Sequence, residues 1–156
     1  MSLAGKVAII TGGGTGIGFG IAEVLSEKGV NLVIAQRRLE KARQATEALK
    51  RTETLSLAVD IRDRHSIEDM VEAAIERFGR VDILVNNASI TGTAAIASLV
   101  ECGCQHVDEM VDVNLKGTFY CSQSVVKRMI LKGQGGNIVH ITSVAAYAAQ
   151  EFACLL

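Results

Sequence analysis

A run of glycines near the start of the chain has the character of a phosphate-binding loop. Residues 11–20 read TGGGTGIGFG, so six of the 15 glycines lie between positions 12 and 20. A phosphate has to approach backbone N–H groups at a helix N-terminus, and a Cβ would block that approach. Because the loop follows a strand pattern and opens a helical one, we expect it to bind a nucleotide rather than to form a plain turn. No lysine stands at its end, which argues against a phosphoryl-transfer loop. The candidate contacts are Gly12, Gly14, Thr15, Gly16, Ile17 and Gly18.

A pair of arginines follows the second strand pattern. Dinucleotide-binding folds carry an acid about 20 residues after the glycine loop, and this acid binds the adenosine ribose 2′-OH. Here the chain reads Ala35-Gln36-Arg37-Arg38 and has no acid. Guanidinium groups suit bidentate capture of a phosphate, so Arg37 and Arg38 predict NADP(H) rather than NAD(H). The alternative is that both arginines only begin a solvated helix.

Asp60 follows the third strand pattern directly. That position is the carboxyl edge of a parallel sheet, where ligands bind. Its carboxylate has two equally plausible roles, binding of an adenine or capping of the following helix. Its neighbour Ile61 is a further candidate cofactor contact.

Strand and helix patterns alternate along the whole chain. Short apolar runs predict strands at 6–11, 31–35, 54–59, 82–85 and 137–141. Apolar residues at helical spacing predict helices at 16–28, 39–50, 65–78 and about 105–131. Gly29, Gly79 and Gly133 stand where C-terminal glycines should end three of them. No hairpin pattern joins two strands, so we predict one α/β domain with a doubly wound parallel sheet in three α/β/α layers.

The composition excludes several classes of protein. Of the 156 residues 49% are hydrophobic, and 16 basic residues stand against 17 acidic ones. These values fit one globular domain and exclude disorder. The near-neutral charge argues against a nucleic-acid partner, and no unbroken run of about 18 apolar residues points to a membrane. Because the N-terminus has no secretory pattern, we expect a cytoplasmic protein whose four cysteines are thiols rather than two disulfides.

Two segments contain histidines that could have a chemical role. Cys102, Cys104 and His106 alternate along the chain, but structural zinc sites use a wider spacing and a fourth ligand. We therefore expect no metal and interpret this segment as a loop that leads into the long helix. His140 alternates within the last strand pattern and has no sequence partner that suggests catalysis.

Five motifs in order resemble those of the classical short-chain dehydrogenases/reductases. Residues 11–18 are similar to the T-G-x-x-x-G-x-G loop of this family, and Asp60 falls at its next motif. The set continues with Asn86-Asn87-Ala88, with Val113-Asn114-Leu115-Lys116-Gly117 and with residues 136–143, GNIVHITS. The resemblance covers essentially the whole chain but not the whole family domain. It implies a Rossmann-type sheet of strand order 3-2-1-4-5, without the last strands and the substrate lid of the family.

The resemblance also implies a chemistry. Members of the family move a hydride between C4 of a nicotinamide cofactor and a carbonyl or alcohol carbon of a small molecule, and they form dimers or tetramers. Asn114 matches the catalytic Asn, which holds a water in a proton relay, and Ser143 matches the catalytic Ser, whose hydroxyl binds the substrate oxygen. A hydroxyl placed there stabilises the charge that develops on that oxygen. The implied cofactor contacts also include Asn87, Ala88, Ser89, Asn114 and Ile141.

Two positions depart from the family pattern. Ser89 replaces the usual final glycine of the Asn-Asn-Ala motif, and Thr15 stands where many NADP-preferring members have a basic residue. Of these two departures, only the one at Thr15 weakens the prediction of NADP(H).

The Tyr-x-x-x-Lys motif of the family has no clear match. Counted from Ser143, its Tyr would fall near Leu156, the last residue of the sequence. Tyr147 comes too early and Glu151 stands in place of the lysine, so Tyr147 is not assigned as the general acid. We expect the sequence to be catalytically incomplete and favour a fragment of an ordinary enzyme. The alternative is a short, non-catalytic dinucleotide-binding module.

We predict that the 156-residue chain turns over no carbonyl substrate with either coenzyme. Reduction of a carbonyl leaves an alkoxide, which a tyrosine protonates when a nearby ammonium lowers its pKa. Residues 1–156 contain no Tyr-x-x-x-Lys after Ser143 to do so. The measurement is oxidation of NADPH and NADH with product analysis, and oxidation linked to product would contradict the prediction.

Overall fold

A parallel sheet between two layers of helices forms the framework of the molecule. The computed structural model describes residues 2–91, 100, 102–133 and 135–144. Within them the strands lie in the order β3-β2-β1-β4-β5, and every pairing is parallel. The predicted α/β class and strand order are confirmed. The strands are β1 (Val7–Thr11), β2 (Asn31–Gln36), β3 (Thr54–Ala58), β4 (Ile83–Asn86) and β5 (Asn137–His140).

The helices begin and end close to the predicted positions. Gly29 and Gly79 adopt φ values of +78° and +76° just beyond the first and third helices, as expected of C-terminal glycines. None of the helices in the described residues combines the length and the apolar character needed to cross a bilayer. They are α1 (Gly16–Glu27), α2 (Leu39–Ala48), α3 (Arg64–Phe78), α4 (Cys104–Met110) and α5 (Thr118–Leu131).

The long helix predicted over about 105–131 differs from the prediction in one respect. A π-helical segment, Val111–Gly117, separates α4 from α5. Apolar spacing over a few residues does not by itself distinguish a π-helical segment from a regular helix. Segments of this kind are frequent at functional sites.

Alternation along β1 divides the core into two halves. Ala8 and Ile10 pack with buried residues of α1 and α2, whereas Val7 and Ile9 pack with buried residues of α3 and α5. All four are at most 1% exposed. Successive side chains of a strand point to opposite faces, so a strand covered on both sides is apolar throughout. This explains why β1 has no polar face in the sequence.

The topology opens a crevice at one edge of the sheet. Because the strands are parallel, their carboxyl ends meet at the same edge. The chain leaves β1 toward β2 on one side, whereas β4 is followed by β5 on the other side. Ligands of doubly wound sheets bind where the strand order reverses in this way. The ends of β1 and β4 therefore mark the expected position of the site.

Asp82 joins β1 and β4 at the opposite edge of the sheet. Its side chain is 5% exposed, and its carboxylate accepts hydrogen bonds from the Val7 N–H at 3.0 Å, from Lys6 Nζ at 3.1 Å and from Arg80 Nε at 2.8 Å. Burial on its own raises the pKa of Asp82, but the hydrogen bonds from Arg80, Val7 and Lys6 outweigh this effect and hold it below the usual value.

We expect Asp82→Asn to lower the free energy of unfolding at neutral pH by about 1.5–3 kcal/mol, the range for hydrogen bonds to charged groups. The folded-state pKa of Asp82 lies below its unfolded value. Its stabilisation is therefore complete above the unfolded pKa and disappears as the pH falls through the folded-state pKa. Urea denaturation of both proteins should give a constant difference above about pH 5 and a shrinking one below it. A difference that does not change with pH would contradict this account.

Candidate functional site

A cleft of about 1060 Å³ opens where the carboxyl ends of the strands meet. Small-molecule pockets usually measure about 300–1,000 Å³, so this cleft is large enough for an extended ligand. Residues at or just after the ends of all five strands line it: Gly12, Gln36, Asp60, Asn86 and His140. The predicted site residues Thr15, Gly16, Ile17, Arg37, Ile61, Asn87, Ala88, Ser89, Asn114, Ile141 and Ser143 line it as well.

The glycine loop presents bare backbone to this cleft. Gly12 and Gly16 have positive φ values of +67° and +54°, which side-chain-bearing residues rarely adopt. Gly16 lines the cleft, and a Cβ on it would meet no atom within 4 Å apart from its chain neighbours and its own helix. Thr15 stands at the N-cap of α1, but its side chain makes no capping hydrogen bond, and the first turn has no acidic residue. The positive end of a 12-residue helix therefore faces the cleft without a charged side chain of its own.

Two of the predicted loop contacts have a packing role. A Cβ on Gly18 would lie 2.5 Å from Gly12 O, and one on Gly14 would lie 2.9 Å from Lys41 O in α2. Neither glycine is among the residues that line the cleft. Their bare Cα atoms allow α1 and α2 to approach the loop closely. Gly14 also donates its N–H to Gln36 Oε1 at 3.3 Å.

Hydrogen bonds from Thr11 and Asn87 tie the loop after β1 to the segment after β4. The Thr11 hydroxyl accepts the N–H groups of Asn87 and Ala88, both at 3.1 Å. Asn87 Nδ2 donates to Thr11 O at 3.1 Å and to Gly12 O at 3.2 Å. We call these four bonds the Thr11–Asn87 clamp. The amide nitrogen of Asn87 thus holds the glycine loop in place, a role that the motif alone did not reveal.

The two arginines that suggested NADP(H) lie in different places. Arg37 is exposed, lines the cleft and makes no hydrogen bond or salt bridge to any residue that the structure describes. Arg38 is the N-cap residue of α2 and lies outside the lining of the cleft. The structure therefore brings only Arg37 to the cleft, and Arg38 begins a helix as the alternative interpretation expected.

Asp60 does not cap α3, so that alternative was wrong. Asp63 is the N-cap residue, and its side chain accepts the His65 N–H at 2.9 Å. The Asp60 carboxylate instead accepts hydrogen bonds from Arg62, which lines the cleft beside it. The Arg62 hydrogen bonds, assisted by the charge of Arg37, outweigh burial and lower the pKa of Asp60. At neutral pH Asp60 is an anionic acceptor on the cleft wall.

Ile61 contributes to the core as well as to the cleft. It is 7% exposed, and a Cβ on Gly117 would lie 2.8 Å from its side chain. The glycine at the end of the π-helical segment therefore allows that segment to approach β3. This contact connects the wall at Asp60 to the helix that carries Asn114.

Asn114 lies in the middle of the π-helical segment and fastens the chain after β4. Its Oδ1 accepts the Ile90 N–H at 2.8 Å, and its Nδ2 donates to Ile90 O at 3.2 Å. A side-chain amide that pairs with both polar groups of one residue imitates a strand neighbour and fixes that residue. Ser143 follows β5, is exposed and lines the same cleft. The structure thus brings both predicted catalytic residues to one cavity.

The motifs did not single out the polar pair formed by His140 and Asn86. His140 Nδ1 lies 3.4 Å from Asn86 Nδ2, which also donates to Ser122 Oγ at 2.9 Å. Asn86 is 5% exposed, and both residues line the cleft. His140 thus has the Asn86 amide as a polar partner, although the sequence offered it no partner that suggests catalysis. Its position at the carboxyl end of a strand was the indication available in the sequence.

The cysteines show no arrangement for metal binding in the described part of the chain. No group of three His, Cys, Asp or Glu residues there is placed to hold a metal ion. Cys104 and Cys121 are free thiols, and burial raises the pKa of Cys121 to about 12. Tyr147 and Cys154 lie outside the described residues.

Comparisons with known proteins agree on one family. Residues 6–154 match the family model described as short chain dehydrogenase. The chain is 38% identical over 145 residues to a sorbitol dehydrogenase of Cereibacter sphaeroides and 39% identical over 151 residues to a peroxisomal 2,4-dienoyl-CoA reductase of Danio rerio. These matches cover 93% and 95% of this chain but 55% and 49% of the relatives. The chain therefore spans about half the length of these curated relatives.

A solved structure gives the same result for the fold. The crystal structure of an NAD+-bound xylitol dehydrogenase superposes with a TM-score of 0.92 at 25% sequence identity. The match covers 99% of this chain and 59% of that protein. The sheet and helices described above thus correspond to part of a larger domain in that protein.

Proposed function

The chain belongs to the short-chain dehydrogenase family, and on this premise we propose that its cleft binds a nicotinamide dinucleotide as part of an oxidoreductase. The observation that carries the proposal is the bare backbone of Gly16 at the N-terminus of α1, which lines the cleft and has open space around its Cα. Backbone N–H groups and the helix dipole at such a position favour a pyrophosphate. The glycine loop therefore fits the cofactor that the family uses.

We assign the adenosine end of the cofactor to the wall formed after β2 and β3. Gln36 ends β2 where an acid would favour a ribose 2′-OH, and its side chain accepts the Gly14 N–H. Arg37 lies beside it on the cleft with an unpaired guanidinium among the described residues. This arrangement supports NADP(H) over NAD(H), because a 2′-phosphate would meet a cation and no repelling carboxylate. Asp60 and Ile61 would then contact the adenine.

We assign the reacting end of the cofactor to the walls formed after β4 and β5. When bound, the nicotinamide supplies or accepts a hydride at C4 opposite a carbonyl or alcohol carbon of a small molecule. The Ser143 hydroxyl would donate to the substrate oxygen and stabilise the charge that develops there. Asn114 keeps the segment at Ile90 in position, and the remaining hydrogen-bonding capacity of its amide suits a relay water. Ala88, Ser89 and Ile141 complete the proposed cofactor contacts.

A non-catalytic dinucleotide-binding module remains the second candidate function. Such a module would use the glycine loop and Arg37 in the same way, but its function would not require the Ser143 hydroxyl. The two candidates differ in turnover by the whole protein, which for the first requires a proton donor in addition to Ser143 and Asn114.

The exposed surface and the thiols support two further parts of the proposal. Leu115 and Phe119 are 65% and 58% exposed along the π-helical segment and α5, as expected if the protein forms homodimers or homotetramers. Free thiols at Cys104 and Cys121 suit a reducing compartment such as the cytoplasm.

A substitution at Gly16 tests dinucleotide binding. We expect Gly16→Ala to weaken the binding of both NADPH and NADH at least about tenfold, because its methyl group would occupy the phosphate cradle. Gly5→Ala is the matched control, since Gly5 also has a positive φ, +76°, and open space around its Cα, but lies outside the cleft lining. Calorimetric titration measures both affinities. Equal affinities in the two variants would contradict the proposed role of Gly16. No binding of either coenzyme by the unaltered protein would overturn the proposed function.

A second substitution tests the choice of coenzyme. We expect Arg37→Ala to weaken NADPH binding about 10- to 100-fold and NADH binding much less, as the loss of a charge-assisted hydrogen bond predicts. Arg38→Ala should leave both affinities nearly unchanged, because Arg38 lies outside the cleft lining. Equal losses for the two coenzymes in Arg37→Ala would show that Arg37 does not bind the 2′-phosphate.

A further inference from the structure

We propose that His140 is a further cofactor-contacting residue, whose ring Nε2–H donates a hydrogen bond to the carboxamide oxygen of the nicotinamide. Asn86 acts as a positioning residue, because it holds the imidazole in the tautomer that carries its hydrogen on Nε2. The inference rests on the proposed binding of a nicotinamide dinucleotide and adds a specificity-determining contact to it. Neither residue is among the cofactor contacts assigned above.

The direction of the hydrogen bonds around Asn86 is fixed by α5. Ser122 Oγ donates to Thr118 O at 2.8 Å, so the hydrogen of this hydroxyl is already used. The hydroxyl oxygen accepts from Asn86 Nδ2, which lies 2.9 Å away. Turning the amide over would bring its carbonyl oxygen against the Ser122 oxygen. It would also place the NH2 group where the buried Oδ1 has no partner among the described residues.

The same NH2 group sets the tautomer of His140. Asn86 Nδ2 lies 3.4 Å from His140 Nδ1, and a ring nitrogen accepts an N–H group only if it carries no hydrogen itself. In the neutral imidazole the hydrogen is then on Nε2. The two residues are directly opposite each other in the register of β4 and β5, and Asn86 is 5% exposed. The buried amide therefore anchors the ring.

The Nε2 edge of the His140 ring is the part that a ligand can reach. The two nitrogens of an imidazole point in divergent directions, so Nε2 faces away from the buried Asn86 amide. His140 is exposed and lines the cleft, and the contact with Asn86 is the one hydrogen bond that its ring makes to the described residues. Such an N–H group is an uncharged donor, which suits the uncharged carbonyl oxygen of an amide.

The strand order places this donor beside the proposed nicotinamide end. The phosphate cradle lies after β1, and the adenosine wall lies after β2 and β3 on one side of it. A dinucleotide in this orientation brings its nicotinamide to the ends of β4 and β5 on the other side. Neighbouring strands lie about 4.8 Å apart, so the end of β5 is about 10 Å from that of β1. The carboxamide is the polar substituent of the nicotinamide ring, and His140 is the imidazole at this end of the cleft lining.

The experiment compares calorimetric affinities for NADPH and for 2′-phospho-ADP-ribose, which lacks only the nicotinamide. We expect His140→Phe to weaken NADPH binding about three- to tenfold, as the loss of one hydrogen bond between neutral groups predicts. Binding of 2′-phospho-ADP-ribose should not change. His140→Gln should keep most of the NADPH affinity, because its side-chain amide restores an N–H donor. His65→Phe is the matched control, since His65 is also exposed but lies outside the cleft lining.

Nitrogen NMR of the imidazole tests the positioning role of Asn86. At about pH 8, where imidazole groups are usually neutral, the unaltered protein should show the hydrogen of the His140 ring on Nε2. Asn86→Leu removes the contact and should give a mixture of both tautomers, together with a loss of affinity for NADPH but not for 2′-phospho-ADP-ribose. Thermal unfolding verifies that each variant is folded, and the spectrum of the unaltered protein tests the tautomer without any substitution.

The outcomes separate this inference from the proposed function. If His140→Phe binds NADPH as tightly as the unaltered protein, or loses affinity for both ligands equally, the carboxamide contact is overturned. A hydrogen on Nδ1 in the unaltered protein also overturns it, because Nε2 would then have nothing to donate. If the unaltered protein binds neither ligand, the proposed function itself fails.

Discussion

The candidate site depends on one close approach, that of the glycine loop after β1 to the segment after β4. At this point the strand order reverses, and the pairing of β1 with β4 ends at Ile10 and Val85, so it does not extend to the two segments that follow. The Thr11–Asn87 clamp replaces the ladder with four hydrogen bonds of 3.1–3.2 Å. Gly18 allows this approach, because a Cβ there would lie 2.5 Å from Asn87 Nδ2 and from Gly12 O. Without the clamp, the loop would keep its hydrogen bonds to Ala35 and Gln36 on the β2 side but would lose those to the segment after β4.

Hydrogen bonds also fix side chains elsewhere on the cleft. At one end the Arg62 side chain holds the Asp60 carboxylate. At the other end the Asn114 side chain holds Ile90 through both its Oδ1 and its Nδ2 atom. The two ends are linked through the core, since Ile61 packs where Gly117 leaves room for it. Asp60, a proposed ligand contact, is therefore held by a neighbouring side chain, and Asn114, another proposed contact, is held by its own bonds to the chain at Ile90. Such support favours binding, because little side-chain freedom is lost when a ligand enters.

Charge is distributed along the cleft in a way that suits a dinucleotide. The N-terminus of α1 faces the middle of the cleft, and Arg37 adds a cation beside it. The nearby carboxylate of Asp60 is neutralised by Arg62, so it does not oppose an incoming phosphate. The opposite end, around Ser143 and His140, carries hydroxyl and imidazole groups rather than carboxylate or guanidinium groups. This division corresponds to the proposed adenosine and nicotinamide ends.

The sequence alone determined the order of strands and helices, because hydrophobic periodicity and glycine placement act locally. The strand order of the parallel sheet followed from the resemblance to the family motifs. The position of the cleft followed in turn, because the carboxyl ends of parallel strands meet at one edge. The sequence also identified Gly16, Arg37, Asp60, Asn114 and Ser143, all of which line the cleft. Only the tertiary structure decided which of the motif residues face that cleft and which pack behind it. Gly14 and Gly18 pack, Asp63 rather than Asp60 caps α3, and a π-helical segment interrupts the long helix. These outcomes depend on distances between segments that are far apart in the chain, and no local pattern encodes such distances.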